Sequence, residues 1–129
     1  MGDEGDVQKV MRQELLGIGV NAGACLIVHC AFKPMRTAGL SPDEAIDAML
    51  AALGPDGTLM MPTFTYSYAG IWNVKPFNPA NTPGIDNGIL SERFRLRPGT
   101  LRSAHPTYSV AACGKDAGFL TAHRDHCSP

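Results

Sequence analysis

No stretch of this 129-residue chain reaches the roughly 18 consecutive apolar residues that a membrane-spanning helix needs, which excludes a transmembrane helical reading of the sequence. An excess of one charge is also lacking: eleven Lys and Arg stand against twelve Asp and Glu, for a formal net charge of −1. Nonspecific attraction to nucleic acid or to an anionic membrane surface therefore loses its main source, and neither is expected as a partner. The first residues include Asp3, Glu4 and Asp6 in place of the basic start of a signal peptide, so a soluble, cytoplasmic protein is predicted. Cysteine is sparse. Cys25, Cys30, Cys113 and Cys127 show no CxxC spacing and are read as reduced thiols, with Cys25 and Cys113 packed as small hydrophobes inside apolar runs. There is no Walker loop, no GxGxxG and no GxSxG, so P-loop nucleotide hydrolysis and the ordinary serine-hydrolase elbow have no support. His123, His126 and Cys127 offer two imidazoles and a thiol but no defined fourth ligand, and no metal is expected.

What is present has the pattern of one folded α/β domain. Val7, Val10, Met11 and Leu15 recur at helical spacing from Asp6, predicting an amphipathic helix that ends near Gly17 and Gly19. The apolar run from Ala24 to His29 predicts a strand buried on both faces. Ser41, Pro42 and Glu44 then supply a hydroxyl cap, a proline at the first helical position and a capping-box glutamate. That helix should run through Leu53 and stop at Gly54. Thr58 to Met61 predicts a second strand, halted by Pro62, which completes a strand, helix, strand rhythm. From Thr63 to Gly88 the chain reads as a long, irregular but aromatic-rich segment. A short helix over Ile89 to Phe94, a strand over Ser109 to Cys113 and a helix over Lys115 to His123 follow. The fold class expected is α/β, a central mixed sheet flanked by helices.

Three segments place polar groups at strand ends, where open α/β sheets collect ligands. In the first, His29 follows the apolar run and Cys30 follows it directly. A Cys-His nucleophile pair is disfavoured, since neighbours on a strand point to opposite faces; a strand-end histidine held by hydrogen bonds and a packed thiol is the simpler reading. In the second, the hydroxyls of Thr63, Thr65, Tyr66, Ser67 and Tyr68 crowd past Pro62 and suit either phosphate oxygens and amides or turn chemistry. In the third, Arg102, Ser103 and His105 combine a guanidinium, a hydroxyl and an imidazole beside Pro106, a combination that can clamp a phosphate. Arg93, Arg95 and Arg97 are read as a solvated basic edge.

Taken in order, Val28 to Phe32, Gly54 to Thr65 with its string GTLxxPTFT from Gly57, Gly88 to Arg95, and RSxHPxxSxxAxG from Arg102 to Gly114 resemble the aminoglycoside 3-N-acetyltransferase family. The resemblance covers nearly the whole chain, and the two strings together carry it. It implies a fold distinct from the GNAT acetyltransferases and transfer of acetyl from acetyl-CoA to an aminoglycoside amine, a resistance reaction. It also implies that His29, Cys30, Phe32, Thr63, Thr65, Arg102, Ser103 and Ser109 lie on the CoA side, that His105 is the candidate catalytic histidine, and that Tyr66, Asp56 and Glu92 face the acceptor. Asp86 is a further carboxylate near the motifs. Cys30 and Ala31 stand where family members usually carry small hydroxyl residues. Family chains are about twice as long, so residues 1–129 are expected to be the N-terminal part of a longer domain, with the family's base in a segment beyond Pro129 and His105 shaping the site. The competing expectation is a noncatalytic CoA-binding fragment or remnant; a third is an acyl enzyme that uses Cys30.

Overall fold

The structure, a computed structural model, describes residues 5–65, 77–84, 86–105 and 107–122. Helix α1 (Asp6–Gly17) carries no fully buried residue but turns Met11 and Leu15 toward the core and packs on α3. Strand β1 (Cys25–Ile27) leads to a short helix α2 (Lys33–Thr37). Helix α3 (Pro42–Leu53) begins with the expected capping box: Ser41 Oγ accepts from Glu44 N–H at 3.1 Å, and Glu44 Oε1 accepts from Ser41 N–H at 3.0 Å. The Ser41 backbone N–H, and after it the Ser41 hydroxyl, hold the Glu44 carboxyl below its usual value. The helix ends at Gly54 with φ +70°, a conformation that glycine adopts without strain. Strand β2 (Thr58–Pro62), helix α4 (Gly88–Arg95), strand β3 (Leu101–Arg102), strand β4 (Val110–Gly114) and helix α5 (Ala117–Thr121) complete the described elements.

The four strands form one mixed sheet in the order β1-β2-β4-β3. β1 and β2 are parallel, joined by the α2–α3 crossover, while β4 runs antiparallel to both β2 and β3. The expected mixed sheet with flanking helices is thus observed. Because side chains alternate across a strand, the register sorts the sheet into two faces. Leu26, Leu59 and Cys113 align on one face, beside Met61 and Ala111. That face packs into a core with Ile46, Met49 and Leu53 of α3 and Leu90 and Phe94 of α4.

On the other face Ile27, Met60, Ala112 and Leu101 line up across all four strands. Ala112 is buried where α5 packs on β4, but Ile27 is 63% exposed and Leu101 46%. The expectation that the first strand is buried on both faces is therefore corrected. β1 is a short edge strand, covered on one face only, and Cys25 is exposed with Ile27. Its apolar composition reflects one buried face plus an uncovered one. Cys25, Cys30 and Cys113 are free thiols, as expected; Cys127 lies outside the described residues. Two short elements, α2 and β3, were not anticipated. Among the described residues no helix is long and apolar enough to cross a membrane.

Candidate functional site

Because β1 and β2 run in parallel and β3 and β4 antiparallel to each other, one end of the sheet receives the finish of β1, β2 and β3 and the start of β4. The strand-end segments picked from the sequence therefore gather at one place. There they form an open cleft after β1 and a buried polar network around β2, β4 and β3.

The cleft has a volume of about 380 Å³ and is lined by His29, Cys30, Ala31, Asp86, Asn87 and Gly88. Val28 N–H still bonds Met60 O at 2.9 Å, so the chain leaves the sheet just before His29. Cys30 packs against the core, and burial raises its thiol above the usual value. A thiol so placed is mostly protonated and a poor nucleophile. The opposite wall is the start of α4. Asn87 Oδ1 accepts from Phe64 N–H at 2.6 Å, and its Nδ2 faces His29 Nε2 at 3.3 Å. Asn87 is 8% exposed and was missed in the sequence, where an Asn-Gly pair ahead of a helix reads as turn or cap chemistry.

Toward the other edge of the sheet, Arg102 at the end of β3 is the centre of the buried network. Its Nε donates to Thr63 Oγ1 and Ser109 Oγ, each at 3.1 Å, and its Nη2 donates to Thr63 O at 3.0 Å. Nη1 donates to the carbonyls of Pro79, at 3.3 Å, and Thr82. Of the five guanidinium N–H groups, the one on Nε, both on Nη1 and one on Nη2 are thus spent on protein acceptors, leaving at most one for a ligand. The Phe77 ring lies 5.1 Å from the guanidinium carbon. Burial, then the charge of Arg95, lower the Arg102 pKa to about 10, against a raising influence of Glu92. Arg102 stays charged at neutral pH.

Ser109 Oγ donates to Thr63 O at 2.8 Å, so the 2.9 Å contact between the two hydroxyls is made by the Thr63 proton. Ser103 Oγ accepts from Val110 N–H at 2.9 Å. Thr65 N–H donates to Thr107 O at 2.8 Å, and its hydroxyl points to the same carbonyl at 3.4 Å. Thr63, Thr65, Ser103 and Ser109 are all buried. These hydroxyls tie the loop after β2 to the turn before β4.

His105 belongs to that turn. Its Nδ1 accepts from Thr107 N–H at 3.1 Å and Tyr108 N–H at 2.9 Å, so the neutral ring carries its proton on Nε2. The Tyr108 ring lies against both His105 and Phe64, with centroid separations of 5.7 and 5.3 Å.

The remaining candidates stand apart from the cleft. Phe32 is buried in the core with the Arg36 guanidinium 5.3 Å from its ring centroid. Asp56 is exposed in the turn before β2, at the opposite end of the sheet and roughly 15 Å away at the ordinary strand rise. Burial alone would raise the Glu92 carboxyl, but the Arg95 fork and Gly84 N–H outweigh it and hold it below its usual value. Arg95 itself, with its side chain 6% exposed, departs from the expected solvated edge. Arg93 is exposed, as expected, whereas Arg97, just after α4, is half-buried; the two pair with Asp43 and Asp47 of α3. The Arg93 hydrogen bond leads in lowering the Asp43 pKa. Tyr66, Ser67, Tyr68, His123, His126 and Cys127 lie outside the described residues. Among the described residues no cluster of three or more His, Cys, Asp or Glu is grouped as a metal site would require.

Comparison with known proteins gives a consistent picture. Residues 27–129 match the family model described as aminoglycoside 3-N-acetyltransferase. The aminoglycoside N(3)-acetyltransferase IV of Salmonella sp is 42% identical over 105 residues, covering 81% of this chain and 38% of that protein. Among solved structures, AAC-IIIb in its binary complex with CoASH superposes with a TM-score of 0.79 at 29% identity, over 91% of this chain and 49% of that one. An AAC(3)-IVa mutant in complex with apramycin gives a TM-score of 0.77 at 36% identity, over 95% and 48%. The chain thus spans half or less of the length of these relatives.

Proposed function

Because the chain belongs to the aminoglycoside 3-N-acetyltransferase family, we propose that it takes part in moving an acetyl group from acetyl-CoA to the 3-amino group of an aminoglycoside antibiotic, with the cleft at the end of β1 as its CoA-side subsite. The observation that carries this reading is the cleft itself: an imidazole, an amide, a carboxylate and backbone groups gathered at the strand ends. Its volume suits the thioester and adjoining arm of CoA and not the whole molecule. His29 and Cys30 wall that subsite. Phe32, Thr63, Thr65, Arg102, Ser103 and Ser109 act as the scaffold that holds it, since Phe32 is part of the core and the polar groups of the others already bond within the protein.

For the reaction, the acceptor ammonium must lose a proton before its nitrogen attacks the thioester carbonyl, and the developing oxyanion needs a donor. His105 fits the donor's part better than the base's, because its Nδ1 is held by two backbone N–H groups and its Nε2 carries the proton. Among the carboxylates expected to meet the acceptor, Glu92 is paired with Arg95 and Asp56 is remote, so Asp86 on the cleft wall is the described carboxylate nearest the chemistry. A cytoplasmic setting, where acetyl-CoA is made and used, agrees with this role.

A second reading, CoA binding without transfer, is favoured by one observation: among the described residues the accepting ring nitrogens of both His29 and His105 already face protein donors. One experiment separates the two. Thiol release from acetyl-CoA is followed with and without apramycin, alongside calorimetric titration of CoA. Apramycin-dependent release, retained in Cys30→Ala, supports transfer; binding that His29→Ala weakens, without release, supports the second reading. Absence of binding refutes both.

A further inference from the structure

The contact between Asn87 and His29 decides which ring nitrogen of His29 carries its proton. Phe64 N–H can only donate, so the Asn87 atom that meets it at 2.6 Å must be the carbonyl oxygen. That fixes the amide orientation, a choice otherwise ambiguous for an Asn side chain. The other end, Nδ2, is a donor and lies 3.3 Å from His29 Nε2, which must then accept. A neutral His29 with an accepting Nε2 carries its proton on Nδ1.

Two further observations show that Asn87 is committed to this task. Asn87 occupies the cap position of α4, where its side chain would ordinarily accept from the helix's own first N–H groups, yet it makes no such bond. The backbone around it makes two longer contacts with the same loops: Asp86 N–H faces Phe64 O at 3.4 Å and Asn87 N–H faces Gly84 O at 3.5 Å. The loop after β2, the start of α4 and the end of β1 therefore meet in one hydrogen-bonded chain, Phe64 to Asn87 to His29.

We propose that Asn87 is a positioning residue that locks His29 in its Nδ1–H form, so that the imidazole meets an acceptor oxygen of the CoA thioester arm as a hydrogen-bond donor. The identity of that ligand rests on the functional reading above; the tautomer does not. The protein is labelled with 15N, and long-range proton–nitrogen correlations assign the two ring nitrogens of His29. The wild type is expected to show a protonated, pyrrole-like Nδ1 and an unprotonated Nε2. Asn87→Asp keeps an oxygen for Phe64 N–H and replaces the donor facing His29 with an acceptor, so the pattern should invert to a protonated Nε2. Asn87→Ala removes both contacts and should give a mixture of tautomers. If His29 shows the same tautomer in the wild type and in folded Asn87→Asp, the proposal is overturned; the amide proton spectrum of each variant reports whether it is folded. Acetyl-CoA is then added to the wild type. Displacement of the His29 ring resonances supports the cleft as the CoA-side subsite. Unmoved resonances at saturation, with the tautomer as expected, reject that placement while leaving the role of Asn87 intact.

Discussion

Replacing Arg102 with Met would keep much of the side chain's bulk and remove the guanidinium donors to Thr63, Ser109, Pro79 and Thr82, leaving only the mutual bonds of Thr63 and Ser109. A loss of about 2–4 kcal/mol in urea unfolding is expected, because partly buried acceptors would be left without partners. Acetyl-CoA affinity, measured where the variant is folded, should change less than in His29→Ala. Glu92 gives the corresponding case for acid. Its folded carboxyl is held below the unfolded value despite burial, since Arg95 and Gly84 bond the ionised form. The stabilisation is therefore complete above the unfolded value, about 4.3, and is lost as pH falls through the folded one. In Glu92→Gln, stability at pH 7 should drop by about 1–3 kcal/mol, and the gap to wild type should narrow only below about pH 4.3. At this scale residue type was legible and partnership was not. An Arg, a Ser and a Thr can clamp a phosphate or one another, and only the arrangement of acceptors around Arg102 tells which.

Among the elements, those with chemical punctuation were readable from the chain. Ser41, Pro42, Glu44 and Gly54 delimit α3 because each supplies a specific backbone need at a helix end. α2 and β3, at five and two residues, are too short to show a period and owe their form to what they pack against. The turn between α3 and β2 explains a glycine in one of the diagnostic strings. A Cβ on Gly57 would lie 2.5 Å from Leu53 O and 2.6 Å from Leu53 Cβ, both on the last residue of α3. Gly57→Ala should therefore push α3 and β2 apart and cost about 1–3 kcal/mol, read as a lower urea midpoint with an unchanged slope.

Across the whole molecule, the sheet has one face in the core and one face covered only in part. Leu59 and Ile27 look equivalent in the sequence, each central to an apolar run, but their burial differs completely. Leu59→Ala should cost about 2–5 kcal/mol, whereas Ile27→Thr should change stability by no more than about 0.5 kcal/mol. Comparable losses from both substitutions, measured by urea unfolding, would mean that the exposed row is covered in solution. The sheet also explains the composite site: mixed strand direction brings three strand ends and one strand start to the same edge, so residues from 29 to 109 meet there.

By itself the chain determined both ends of α3, the positions of β1, β2 and β4, the α/β class and the strings that carry the family resemblance, since all of these follow from local spacing and turn chemistry. Tertiary structure alone decided which polar groups stayed open. Burial and hydrogen-bond direction depend on what arrives from distant segments: Thr63 met Arg102, and Asn87 was turned from its helix toward His29. A side chain's chemistry is local, but its remaining capacity to bind is what its neighbours leave unused.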